Sequence, residues 1–124
     1  MSGQTSTLYE RLGGRNGIGR IAKDIMQLHA ANPVLIRRYG HAKKSPEELE
    51  RLLAEFLCSI AGGSDPYTGM SMTQTHTGMN VHNDEFVEAI DDFLKAFDKN
   101  GVSREDRDAM LGLCYGLKPE VVGL

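Results

Sequence analysis

The sequence lacks most of the features that mark exported, zinc-binding or nucleic-acid-binding proteins. Its two cysteines, Cys58 and Cys114, lie in apolar runs with no Cys-x-x-Cys pair, so we expect buried thiols in a reducing compartment. Basic residues are scattered and the net charge is -3, whereas phosphate binding needs clustered Lys and Arg. No apolar run reaches the roughly 18 to 20 residues of a membrane helix, and the segment MSGQTST has no apolar core that would make a secretion signal. We therefore predict a cytoplasmic protein that neither binds nucleic acid nor inserts into a membrane.

Length and apolar periodicity predict a single all-α domain over residues 1–124, a common domain size. Four segments repeat apolar residues at helical spacing: Asn16–Ala31, a helix after the Ser45-Pro46 start, one opening at Asn83 or Asp84, and one capped by Ser103. Shorter helices are predicted after Thr7 and over Pro33–Tyr39. Periodicity does not choose between two crossed layers and an up-down bundle. The irregular link from Gly62 to Asn83 is long for a bundle, which favours a functional segment there.

That link contains the segment Tyr67–Val81, which is poor in aliphatic residues and lies between two strongly apolar helices. A bond from His76 to a metal would hold such a segment in place. Taken alone, a histidine in a threonine-rich stretch is more often a surface residue. None of the four histidines, which are His29, His41, His76 and His82, pairs with another at helical metal spacing, so a zinc site is not expected.

Several motifs around this segment resemble those of one known family. They are LYERLGG from Leu8, GG-x-x-PYTG from Gly62, M-x-x-x-H-x-G from Met72, and Phe86 early in the next helix. Together they resemble the group I truncated haemoglobins over Leu8 to about Leu117. The resemblance implies a two-over-two helical sandwich around a b-type haem, in which His76 matches the proximal histidine that binds the iron. A single neutral imidazole would leave the opposite axial position open for a gas.

The resemblance also implies further residues at the cofactor. The haem faces would be lined by Leu49, Leu53, Phe56, Met72, Phe86, Ile90 and the Leu111–Leu113 region. Candidate partners for the propionates are Lys43, Lys44, Arg51 and Tyr67. A porphyrin is flat and apolar, so an apolar lining would supply much of its binding.

The distal side departs from the family pattern. Met26 stands where a tyrosine is usual, Leu53 where glutamine is frequent, and Leu49 at the gate position, so the pocket looks mainly apolar. Tyr39 falls at the corner after the third helix, and we hypothesise that its hydroxyl is the distal donor to a bound gas. The alternative is a tyrosine packed over the haem rim. Met26 or His41 as an internal sixth ligand is a second hypothesis.

The leading functional prediction is a haem protein that binds a diatomic gas (O2, NO or CO) reversibly. The alternatives are a nitric oxide dioxygenase-type or electron-transfer haem protein with an internal sixth ligand, and a haem-free helical interaction module. A reductase is a candidate partner. The sequence does not decide whether the protein is an enzyme, and it gives no oligomeric state.

Overall fold

The computed structural model describes residues 6–39 and 43–124. Within these ranges it contains seven α-helices and one short 3₁₀ helix. The α-helices are α1, Leu8–Arg11; α2, Gly14–Ala31; α3, Ile36–Tyr39; α4, Pro46–Ile60; α5, Met72–His76; α6, Asn83–Lys99; and α7, Arg104–Tyr115, and the 3₁₀ helix is Lys118–Glu120. The all-α prediction is confirmed, because the only extended pairing in the described ranges is one isolated bridge between Val81 and Val122.

The helix starts follow from local side-chain caps. Thr7 and Glu10 cap α1 reciprocally, and the Ser45 hydroxyl accepts from the backbone N–H of Glu48 at the start of α4. The helix predicted over Pro33–Tyr39 begins only at Ile36. The reason is local, since the Asn32 side-chain oxygen accepts from the backbone N–H of Val34 at 2.9 Å and forms a turn.

Helix α2 lies at the centre of the packing. It packs against α4 on one side and α6 on the other, and α6 packs against α7. Apolar side chains from these helices form a first core, which includes Ile21, Ile25, Leu57, Phe97 and Met110. A smaller second core combines Phe86 and Ile90 of α6 with Cys114 of α7 and with Val81 and Val121. Ile60, Phe93 and Leu111 are half-buried and pack against both cores.

Helix α5 lies apart from both cores. The sequence had suggested that the link from Gly62 to Asn83 is irregular throughout, but the structure places α5 within it. A reciprocal cap between Ser71 and Gln74 starts α5, and the S-x-x-Q pattern was the signal that could have revealed it. Among the described helices, α5 packs mainly against the 3₁₀ helix.

Two further expectations concern exposure. Cys58 and Cys114 are both buried free thiols, as predicted, and burial raises the pKa of Cys114 to about 12. In the part of the chain that the structure describes, no helix is both long and apolar enough to cross a bilayer.

Candidate functional site

His76 is the last residue of α5 and is half-buried. Its Nδ1 atom lies 2.7 Å from the carbonyl oxygen of Met72, one turn earlier. A carbonyl oxygen can only accept, so Nδ1 carries the proton and donates. In the neutral ring the lone pair then belongs to Nε2, which no described residue hydrogen-bonds. The imidazole is thus held in the tautomer that a metal ligand requires.

The apolar stripe of α4 is less buried than an internal helix face should be. Leu57 is fully buried, but five apolar residues of the same helix are only half-buried: Leu49, Leu52, Leu53, Phe56 and Ile60. The main contact of α4 among the described helices is α2, and any contact of α4 with α5 or α6 is slight. An apolar surface left partly uncovered fits a flat apolar group such as a porphyrin.

Phe86 and Ile90 lie in the second core, close to the loop that follows His76. They pack with Val81, and Met79 contacts the same core. The structure therefore brings these two predicted lining residues together with the His76 segment. Leu111 is half-buried there, whereas Leu113 is 45% exposed and lies on the surface.

On the distal side, every predicted residue whose side chain is described is apolar. Met26, Leu49 and Leu53 are all half-buried, and Leu53 packs against the first core. Tyr39 ends α3, but its side chain lies outside the described part of the structure, as does all of His41. The hypotheses about Tyr39 and His41 therefore stay predictions.

The predicted propionate partners differ in how they are engaged. The Tyr67 hydroxyl donates its one proton to the carbonyl of Met70 at 2.8 Å, and burial, followed by the charge of Glu55, raises the pKa of Tyr67. Arg51 donates to Glu55 at 2.6 Å. Lys43 and Lys44 are exposed and form no ion pair with a described residue. Of the four, the two lysines keep all their donors available.

Glu55 is a buried carboxylate on α4. Its Oε1 accepts from the side chain of Thr68 at 2.7 Å and from the Thr68 backbone N–H at 3.0 Å. These two bonds, side chain first, lower the pKa of Glu55. Glu55 therefore ties α4 to the PYTG segment that leads into α5. The spacing of Arg51 and Glu55, four residues apart on one helix, was the only signal for its role in the sequence.

A second buried polar group joins α2 to α6. His29 Nδ1 lies 2.7 Å from Asp92 Oδ2, and Asn32 donates to Glu88 at 3.1 Å. Burial lowers the pKa of His29, and the hydrogen bond that the ring makes to the Asp92 carboxylate, together with its charge, partly offsets that effect. His29 follows Ile18 and Ile25 at helical spacing, which is a signal for the inward face, but nothing in the sequence pointed to Asp92 as its partner.

The third polar group lies beside the His76 loop. The guanidinium of Arg38 donates to both carboxylate oxygens of Glu85 at 2.7 Å and to the carbonyl of Met79 at 2.7 Å. The hydrogen bond from Arg38, the largest effect, holds the pKa of Glu85 at about 2. Residues 38 and 85 are too far apart in the chain for any local pattern to pair them.

Comparisons with known proteins agree with the helical fold. The family model described as bacterial-like globin matches residues 7–122. The chain is similar to the group 1 truncated hemoglobin of Nostoc sp. (strain MUN 8820), with 26% identity over 117 residues, or 94% of this chain and 98% of that protein. It is 29% identical over 99 residues to the group 1 truncated hemoglobin of Tetrahymena pyriformis, or 78% of each. The crystal structure of the Tetrahymena pyriformis truncated hemoglobin in the Fe(III) form superposes with a TM-score of 0.90 at 22% identity, over 96% of this chain and 100% of that one. The predicted two-over-two fold is confirmed.

Proposed function

The chain belongs to the bacterial-like globin family, which implies a haem iron cofactor, and from this premise we propose that it binds a diatomic gas reversibly at iron held by His76. The observation that carries the proposal is the 2.7 Å bond from His76 Nδ1 to the Met72 carbonyl, which leaves Nε2 as the ligand atom. The carbonyl also fixes the ring orientation and raises the basicity of Nε2. When bound, haem would supply an iron that His76 would hold and that can bind a small gas.

The apolar residues on α4 and α6 support the proposal. Leu49, Leu53 and Phe56 offer a half-buried surface on α4, while Phe86 and Ile90 offer a buried one on α6. Burying apolar surface against a porphyrin contributes about 25 cal/mol per Å². These side chains would hold the macrocycle by its faces, and Lys43 and Lys44 would be free to meet its propionates.

The character of the distal side argues for binding, sensing or electron transfer over efficient dioxygenation. Met26, Leu49 and Leu53 have no hydrogen-bond donor in their side chains, since the thioether sulfur of methionine is only a weak acceptor. Losing a donor to a partly anionic ligand such as oxygen weakens binding by about 1.5–3 kcal/mol. Oxygen should therefore leave quickly unless Tyr39 donates to it.

The visible spectrum of the purified, haem-loaded protein tests the proposal, with and without carbon monoxide. We expect an open ferrous site that carbon monoxide fills, with a shifted Soret band. His76→Gly should abolish stable haem binding, and added imidazole should restore the spectrum by occupying the vacated space. His82→Gly is the matched control, because His82 is exposed and should leave the spectrum unchanged.

Other outcomes would contradict the proposal in distinct ways. No Soret band after haem addition would favour the haem-free helical module. A low-spin six-coordinate spectrum without added ligand would favour an internal ligand, and Met26→Leu or His41→Ala would then identify which side chain supplies it. Normal haem spectra in His76→Gly without imidazole would remove His76 from the site.

A further inference from the structure

The loop after His76 has a backbone that needs support from outside. Gly78 and Asn80 both have positive φ, 90° and 47°, and the left-handed region is unfavourable for a residue with a side chain. Their N–H groups both donate to the carbonyl oxygen of Leu124 at 3.1 Å. The N–H of Met79 donates back to the carbonyl of His76 at 3.0 Å. The N–H groups of Gly78 and Asn80 thus point to Leu124, whereas the carbonyls of Met79 and Asn80 point to another side.

Arg38 occupies that other side. Its Nη1 donates to the Met79 carbonyl at 2.7 Å, and its Nη2 reaches the Asn80 carbonyl at 3.5 Å. Its Nε and Nη2 donate to the two carboxylate oxygens of Glu85, which makes a bidentate pair. Glu85 also accepts from the backbone N–H of His82 at the start of α6. One guanidinium therefore joins α3, the His76 loop and the first turn of α6.

We propose that Arg38 is a positioning residue for His76, acting through the loop 77–81. The inference rests on the proposed role of His76 as the iron ligand. Two hydrogen bonds connect the guanidinium to the histidine backbone, from Arg38 to the Met79 carbonyl and from the Met79 N–H to the His76 carbonyl. Since α5 packs mainly against the 3₁₀ helix and not against the apolar cores, such links set where the imidazole stands.

The ion pair between Arg38 and Glu85 connects the His76 loop to α6. Glu85 lies in the first turn of α6, one residue before Phe86 and five before Ile90. Fixing the His76 loop to Glu85 through Arg38 therefore fixes the imidazole relative to the helix that lines the haem face. Only 11% of the Glu85 side chain is exposed, and 32% of Arg38, so the pair is partly shielded from water. Arg38 also precedes Tyr39, so it connects the distal corner to the proximal loop.

Three variants separate positioning from a general structural role. Arg38→Met removes every donor at similar length, Arg38→Lys keeps one charged donor, and Glu85→Gln keeps the bond to the Met79 carbonyl while weakening the fork. Arg15→Met is the matched control, because Arg15 makes a single ion pair with Asp65 and both side chains are more than half exposed. The readouts are the iron–histidine stretching band in the resonance Raman spectrum of the ferrous protein and the rate of haem transfer to apomyoglobin.

We expect Arg38→Met to shift and broaden the iron–histidine band and to speed haem transfer about tenfold, the effect of losing one charge-assisted hydrogen bond. Arg38→Lys and Glu85→Gln should lie between Arg38→Met and the parent, and Arg15→Met should match the parent. If Arg38→Met does not fold, the two milder variants carry the test.

An unchanged band and an unchanged transfer rate in the Arg38 variants would overturn the positioning role, even if their urea midpoints fall. An absent iron–histidine band in the parent would instead overturn the proposed function, and the positioning role with it. The two failures are distinguishable because the first leaves the parent spectrum intact.

Discussion

The first core and the His76 loop are held by different forces. Ile25, Leu57 and Phe97 are fully buried in the first core, where close packing of α2, α4 and α6 provides the stability. Residues 77–80 are mostly exposed and are held by hydrogen bonds to Leu124 and Arg38. We infer from this difference that the scaffold can remain folded when His76, the candidate iron ligand, moves. Packing should therefore control stability, and polar links should control the cofactor.

The largest expected effect is on the packed side. Phe97→Ala removes a fully buried aromatic ring from the first core, which should lower the free energy of unfolding by about 3–5 kcal/mol. Urea denaturation of the apoprotein measures this, with Leu113→Ala as control because Leu113 is 45% exposed. Where Phe97→Ala remains folded, its iron–histidine band should match that of the parent. A shifted band would mean that packing in the first core also sets the position of His76.

Acid should test the polar side. The pKa of Glu85 is about 2 in the folded chain against 4.5 for a free glutamate, so its stabilisation is present above pH 4.5 and is lost as pH falls towards 2. After allowance for solvent screening, the loss is about 2 kcal/mol. Urea denaturation of the parent and of Glu85→Gln across this interval measures it as a difference. Equal pH dependence in the two proteins would contradict the assignment.

Whether an interaction could be predicted from the sequence depends on how far apart its two residues lie in the chain. The start of α4 was visible because Ser45, Pro46 and Glu48 act within one turn, and that prediction is confirmed. The pairs Arg38–Glu85 and His29–Asp92 were invisible, because they join residues 47 and 63 positions apart.

Burial was harder to predict than helix position. Carboxylates default to a solvated face, yet Glu55, Glu85 and Asp92 are buried because each meets donors from another element. For the apolar stripe of α4 the prediction was wrong in the opposite direction, because the stripe is less buried than expected. Its periodicity predicted a core face, but Leu53 and Phe56 are only half-buried, since α2 is the one described helix that packs extensively against α4.

Tyr39→Phe tests whether the distal side, where the described residues are apolar, has a hydrogen-bond donor in Tyr39. If the Tyr39 hydroxyl is the sole donor to bound oxygen, its loss should raise the oxygen dissociation rate about tenfold. Stopped-flow displacement of oxygen by carbon monoxide measures the rate. Tyr9→Phe is the matched control, because Tyr9 packs against the first core and the loss of its hydroxyl should leave the rate unchanged. An unchanged rate in Tyr39→Phe would remove Tyr39 from the mechanism.

The smallest expected effect comes from the buried pair between α2 and α6. Burial lowers the pKa of His29 below 6.5, so near this pH the unfolded chain binds a proton more readily than the folded chain does. The free energy of unfolding should therefore fall as pH drops below about 6.5. The Asp92 carboxylate opposes this effect, so the fall should be smaller than the one expected from Glu85. Urea midpoints between pH 7.5 and 5.5 should decline in the parent and in His82→Gln, but stay level in His29→Gln. A decline in His29→Gln equal to that of the parent would assign the pH dependence elsewhere. The two pH windows would then separate the α2–α6 pair from the link that holds the His76 loop.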